Sequence, residues 1–393
     1  MYNIHSHYET IFGHLKSIVA HRRLFYLLPY GSTQPENLEA LTDNLKELHI
    51  NLWAAGRAPD SRESPFFVFY DQEPIYGEFN IHLLDHIRDN FLGPYILVTT
   101  EKDSDPLDKI KENYGWPTVY YFHHAFAAHD WFRGYRYSAD LIAPDQRKLT
   151  KKYISFNRLT SGPRVYRTLL INELIKQDIL NDGHVSYNDS CPEGGTYQEN
   201  LEQAVGKKLI TQDLANEAVN NISSIQLPLR VDYQNEQYIP NHSFVLSAVK
   251  ETQESFCYLV TETCYWERKC HLTEKIFKPI ISQMPFVLVG PAHNLKYLRE
   301  YGFKTFSPWI DESYDDIEDP ILRMQAIGRT MKDICNHSVS ELEDMLKEMQ
   351  PVLKHNYDRF YDNAFLDYCW DELLTNIKAA VDPNEFGSTH AHV

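Results

Sequence analysis

The segment His271-Leu272-Thr273-Glu274-Lys275-Ile276-Phe277-Lys278-Pro279 carries the densest chemistry in the chain. Thr273 has the side chain of a helix N-cap. Lys275 and Lys278 then stand three apart, on one face of the first turn. A helix dipole disfavours cations at that end. Two lysines there make sense with an anion between them and the helix N-terminus, as a diphosphate would be. Glu274 adds a carboxylate able to accept from sugar or ribose hydroxyls; the plainer alternative is a solvated, charged helix start. A second cationic junction begins at a strand end, Phe156-Asn157-Arg158, and continues through Gly162-Pro163-Arg164-Val165-Tyr166-Arg167. Pro163 suits a first helical turn, and Arg164 and Arg167 share a face. Three guanidiniums at one strand–helix turn suit bidentate phosphate contacts, with ion pairing to an acidic surface as the alternative. Tyr187 and Asn188 close the next strand, where they can touch a base or ribose, although Asn-Asp is also ordinary turn chemistry. Glu262 ends another strand and can hold the hydroxyls of a transferred group, with a helix cap or loop ion pair as the alternative.

Proton-handling residues sit in the first half. Asp71-Gln72-Glu73-Pro74 directly follows the apolar run Phe66–Tyr70. Glu73 there is placed to deprotonate an acceptor hydroxyl, with Asp71 beside it. His123, His124, His129 and Asp130 follow the run Thr118–Phe122. His124 is the alternative base, and Trp131 and Phe132 can stack on a sugar ring. Asp103-Ser104-Asp105 has the form of a metal-binding D-x-D. Asp105 as a helix N-cap ahead of Pro106 accounts for it, so no metal site is expected.

The elements that must position these groups are short apolar runs separated by helical spacing. Runs at 24–29, 66–70, 95–100 and 118–122, with a shorter patch at 140–144, alternate with helices near 35–48, 81–91 and 106–114. After a polar basic stretch, Gln146 to Lys152, the pattern restarts. Strands are expected at 152–157, 184–188, 256–262 and 285–290, with helices at 163–180 and 274–283. Residues 197–240 are polar and less regular, with helical pieces, and read as an insertion or mobile segment. The tail reads as helices at 292–301, 319–336, 338–354 and 360–380, with a frayed end. Apolar runs joined by helical crossovers imply parallel sheets with ligands beyond the strands' carboxyl ends. The expected domains are 1–148, 149–355 and a returning helix with tail, 356–393.

Composition removes several classes of function. With 38 Lys plus Arg against 55 Asp plus Glu, the net charge is −17, which disfavours nucleic acid or an anionic membrane as partner. No apolar run reaches the roughly 18 residues of a membrane span, and the first 30 residues do not read as a signal peptide. The six cysteines therefore read as reduced thiols in a cytoplasmic setting. No G-x-G-x-x-G follows a strand, and there is no P-loop or G-x-S-x-G, so dinucleotide oxidoreductases, P-loop NTPases and α/β-hydrolases are not indicated.

On these residues the second half resembles a known family. Lys152 to Asn188, with Arg158, Arg164 and Arg167, resembles the start of the donor domain of α-1,3-fucosyltransferase-type glycosyltransferases. Phe256 to Pro291 is similar to their donor signature, a strand ending in Glu262, a spacer, Thr273-Glu274-Lys275, a helix and a strand ending in Gly290. His271 to Asp315 is also similar to glycosyltransferase-like proteins of viral and bacterial genomes. The resemblance implies an α/β, GT-B fold of two doubly wound, Rossmann-like domains facing a cleft, with C-terminal helices packing back on the first domain. It implies a nucleoside-diphosphate sugar as donor in the second domain, inversion at the anomeric carbon, and no further cofactor. The family's cationic donor ligands carry over to Arg158 or Arg164 and to Lys275, and its acidic ones to Glu262 and Glu274. Lys278-Pro279-Ile280 replaces the family's Asn-Ala, so the sugar and nucleotide stay open. The acceptor is a glycan, protein or small molecule. A viral enzyme acting in the host cytoplasm on DNA bases, and an inactive sugar-nucleotide binder, are the alternatives.

Overall fold

The computed structural model describes residues 23–26, 66–75 apart from 72, 94–381 apart from 139–140, 232–245 and 247, and the isolated positions 11, 84–85 and 88–89. The expected helix at 35–48, most of that at 81–91, and the frayed end lie outside the described residues. The chain forms two compact units, residues 1–130 with 363–393, and residues 131–362.

Unit 1 holds a parallel sheet in sequence order, β1 (Arg23–Tyr26), β2 (Phe66–Tyr70), β3 (Tyr95–Thr99) and β4 (Thr118–Tyr120). Residues 67–70 and 95–99 are buried throughout, which is why they read as unbroken apolar runs without alternation. Between β3 and β4 runs α1 (Asp105–Tyr114). Its N-cap is Ser104, one residue earlier than expected. The Ser104 hydroxyl accepts from Leu107 N at 3.2 Å while donating to Glu101 at 2.5 Å, and Asp105 falls inside the first turn. Gly115, at φ 63°, closes the helix in the left-handed conformation that glycine adopts without strain. Helix α2 (His123–Phe132) follows β4.

Unit 2 holds the second parallel sheet. Its strands are β5 (Lys151–Asn157), β6 (Gly183–Tyr187), β7 (Ser255–Thr261) and β8 (Phe286–Val289), in the spatial order β6-β5-β7-β8. The next strand in sequence lies on one side of β5, and the later strands lie on the other. This reversal is a topological switch point, and the crevice beyond the carboxyl ends of β5 and β7 is where such sheets take ligands. A 3-10 turn at Gly162–Val165 precedes α3 (Tyr166–Lys176), so Arg164 sits in the turn and not in the α-helix proper. Gly183 starts β6 against the buried Tyr153 ring, where an added Cβ would come within 2.3 Å.

The helical pieces expected after 197 are two regular helices. Helix α4 (Tyr197–Gly206) starts with a capping box of Thr196 and Glu199, and α5 (Gln212–Ile222) is capped by Thr211. Ala215, Ala218 and Ile222 are buried, and α5 packs on α3. A short α6 (Val249–Gln253) precedes β7. Then come α7 (Glu274–Ile281), α8 (Asn294–Glu300), α9 (Pro320–Asn336), α10 (Val339–Tyr361) and α11 (Asn363–Val381).

The compact units divide at 130/131 and 362/363, beside the sequence-based boundaries of 148/149 and 355/356. Arg147 donates to the carbonyls of Ile142, Ser282 and Gln283, which binds the stretch before β5 to unit 2. The patch at 140–144 gives no strand among its described residues; Pro144–Gln146 is a 3-10 turn. Helix α10 runs through Pro351 without a break to Tyr361. In unit 1, α11 packs on β4, with Asn376 Nδ2 donating to Tyr120 O at 2.7 Å and Trp370 edge-on to Phe126 at 4.9 Å. Among the described residues no helix is long and apolar enough to cross a membrane.

Candidate functional site

Glu262, the residue after β7, lies at the carboxyl edge of the unit 2 sheet. Its carboxylate is fully buried and accepts three hydrogen bonds: from Thr273 N (3.3 Å), the Thr273 hydroxyl (2.6 Å) and Thr263 N (3.2 Å). Those bonds pull the ends of the 263–273 loop together. Burial pushes the Glu262 carboxyl above the usual carboxylate range, and the Lys275 ammonium and Thr273 hydroxyl oppose that shift. Glu262 is therefore a brace beneath the site, where sequence alone suggested a sugar ligand.

Thr273 caps α7 as expected, and its hydroxyl is fully used. It donates to Glu262 and accepts from Lys275 N at 3.4 Å and Lys275 Nζ at 3.1 Å. Lys275 Nζ also donates to the Thr263 hydroxyl and to Glu274 Oε1, both at 3.1 Å. The side chain stays 29% exposed, so an anion can reach the ammonium. A phosphate oxygen replacing one of the two neutral hydroxyl acceptors converts a neutral contact into a charge-assisted one.

Lys278 has a different setting. It lines a small hollow with Thr252, Gln253, Tyr258 and Ser282. Burial lowers its ammonium to about 8, with Glu274 opposing and Lys275 adding to the fall.

The three arginines separate. Arg158 is exposed just beyond β5 and makes no hydrogen bond or ion pair with the other described residues. Arg164 lies in the 3-10 turn with its side chain 18% exposed, paired with Glu193 at 3.3 Å. Arg167 is buried, and its guanidinium donates to the carbonyls of Leu159, Thr261 and Glu262, each at 3.0 Å. It ties the β5 loop to the end of β7. Tyr187 is likewise internal: its hydroxyl donates to Thr168 Oγ1 at 3.0 Å, and burial raises its pKa. Asn188 is half-buried beyond it. Of the residues the sequence singles out in this half, Arg158, Arg164 and Lys275 are the outward-facing cations at the switch edge, while Glu262, Thr273 and Arg167 hold the edge together.

Below this edge sits a residue that no sequence motif marks. Arg323 of α9 is 2% exposed and donates to the carbonyls of Gly290 (3.1 Å), Ile317 (2.6 Å), Glu318 (2.9 Å) and Tyr265 (2.6 Å). Its guanidinium also lies 4.7 Å from the centre of the Tyr265 ring, which stacks on Tyr166 at 4.5 Å. Next to it, buried Asp315 accepts from Leu295 N and Lys296 N at the start of α8. Burial raises its carboxyl to about 6, against those backbone donors. Between about pH 4 and 6 the native state then holds a proton that the unfolded chain has released. Stability falls as pH rises through that window, by up to about 3 kcal/mol from this group. Asp315→Asn is expected to remove that slope and to be at least as stable as wild type at pH 7, which paired thermal melts from pH 4 to 7 check.

In unit 1 the carboxyl edge gathers polar groups from three strands. Tyr121, after β4, donates its hydroxyl to Asp71 Oδ2, after β2. The Tyr121 hydroxyl oxygen also lies 2.9 Å from His123 Nδ1. Since the hydroxyl proton is engaged by Asp71, His123 Nδ1 carries its own proton and donates. Burial lowers His123 to about 3, so the imidazole is neutral at physiological pH. Glu101, after β3, is buried and accepts from Ile75 N at 2.8 Å. The turn bearing half-buried Glu73 is thus held on both sides, by Asp71 and by Ile75. His124 is 8% exposed, its ring edge-on to His123 at 5.4 Å. Tyr121 and Glu101 were not legible as site residues: each lies at the end of an apolar run, and their partners are 50 and 26 residues away.

Compared with protein-family models and with curated proteins, the chain matches none.

Proposed function

We propose that this chain transfers a glycosyl group from a nucleoside-diphosphate sugar to an acceptor hydroxyl, with inversion, on a GT-B architecture. The observation that carries the reading is the trio Arg158, Arg164 and Lys275 at the switch edge of a parallel sheet, with Lys275 at a capped helix start. Two parallel α/β units are consistent with it. In this reading the leaving diphosphate gathers negative charge as the glycosidic bond breaks, and the fixed cations stabilise that charge without rearranging. Glu73 takes the proton of the attacking hydroxyl; its held turn suits a base that must stay aligned. Asp71, engaged by Tyr121, orients that turn. The reading assigns no role to Asp103 and Asp105, which flank the Ser104 helix cap.

A thermal-shift panel of UDP-, GDP- and CMP-linked sugars tests the proposal, since a selective ligand stabilises the native state by mass action. A shift with one nucleotide class is expected. Glu73→Gln should keep that shift while release of nucleoside diphosphate in the presence of acceptors falls about 100-fold or more. A flat panel removes the reading, and loss of the shift in Glu73→Gln removes Glu73 as base.

A further inference from the structure

The turn that carries Arg164 already holds an anion, supplied by the chain itself. Glu193 Oε2 accepts from Ser161 Oγ at 3.1 Å and from Arg164 Nη1 at 3.3 Å, and its other oxygen lies 3.5 Å from the same nitrogen. One oxygen shared between a hydroxyl and a guanidinium is how a phosphate oxygen is held. Glu193 is 48% exposed, so the pair belongs to the class that adds little to stability and is cheap to displace.

The loop bearing Glu193 keeps its shape without that contact. Cys191 N donates to Gly195 O and Gly194 N to Cys191 O, both at 2.9 Å, and Ser190 bridges Thr196. Gly194 and Gly195, at φ 116° and 79°, close the turn as glycines can. Cys191 Sγ accepts from Thr160 N at 3.4 Å and lies 3.3 Å from Ser161 Oγ, which anchors the loop to the same turn through a different residue. The Glu193 carboxylate can therefore swing into solvent by side-chain rotation alone.

We infer that Ser161 Oγ and Arg164 form a phosphate subsite and that Glu193 is its resident surrogate, displaced when the donor's diphosphate arrives. The inference rests on the donor-binding reading of unit 2 and adds two residues to it, Ser161 as ligand and Glu193 as competitor. A carboxylate on site keeps the guanidinium aimed and raises the threshold for entry. A weakly held monoanion gains little over Glu193, whereas a phosphoryl group brings more charge and three acceptor oxygens.

Calorimetric titration of the full chain with GDP, UDP and inorganic pyrophosphate tests this. Glu193→Gln is expected to bind the preferred diphosphate about two- to fivefold more tightly, the range set by an exposed ion pair. Ser161→Ala should weaken binding, and Arg164→Ala should weaken it about tenfold or more. In the Arg164→Ala background the gain from Glu193→Gln should vanish. Asp333→Asn makes the same change in net charge at an exposed position on α9 and should leave affinity unchanged. The surrogate is overturned if Glu193→Gln binds no better than wild type, if Asp333→Asn reproduces the gain, or if the gain survives without Arg164. Binding lost in Lys275→Ala but indifferent to Glu193 leaves the donor site standing and removes the surrogate; no binding by any variant removes both.

Discussion

Lys275→Ala is expected to lose the thermal stabilisation conferred by a nucleoside-diphosphate sugar, with affinity down about 10- to 100-fold. The ammonium is the partly exposed cation at the start of α7, held between the hydroxyls of Thr263 and Thr273 and the Glu274 carboxylate. Its loss removes the charge that a diphosphate meets there. It also removes the group that opposes the burial of Glu262, so the variant's own melting point falls as well. The informative quantity is accordingly the shift measured against each variant's ligand-free melt. Lys275→Arg should restore the charge and only part of the affinity, because a planar fork does not reproduce three contacts to a compact ammonium. Arg158→Ala, which breaks no contact with the other described residues, should reduce the shift with no change in the baseline. A full shift in Lys275→Ala would sink the donor site.

Arg323→Ala is expected to be the most damaging single change in unit 2, costing about 3–5 kcal/mol. Four carbonyls on three separate stretches lose their donor at once, and a cavity opens beside Tyr265. For a unit of this size the melting point should fall by roughly 10 °C. Arg323→Lys should rescue little, since one ammonium cannot span Tyr265, Gly290 and Ile317 together. Chemical denaturation with near-wild-type stability would show that these carbonyls find other partners.

The strands were legible because the central strands of a parallel sheet are buried on both faces. Residues 67–70 and 255–261 are buried throughout and appear in sequence as apolar runs bounded by polar residues. The residues singled out for chemistry do follow those runs, at the strands' carboxyl ends. Their roles were not legible. Arg158 and Arg167 are the same residue type nine positions apart, yet one faces outward and the other is spent on backbone carbonyls. What separates them is the end of β7, 94 and 95 residues further along the chain. Glu262 shows the same limit. A carboxylate at a strand end can face a ligand or close a loop, and the choice was made by Thr273, 11 residues away. Helix ends also shifted where a side chain served two partners, as Ser104 does in capping α1 while holding Glu101.

The packing of α11 on β4 has a consequence for synthesis. A ribosome delivers β1 to β4 first, yet the helix that covers Tyr120 leaves the exit tunnel after the whole of residues 131–362. The later-encoded unit can thus mature while the earlier one waits for the nineteen-residue helix that packs on β4. A message truncated just before Asn363 would yield a polypeptide with its second sheet built and its first sheet lacking the helix that packs on β4.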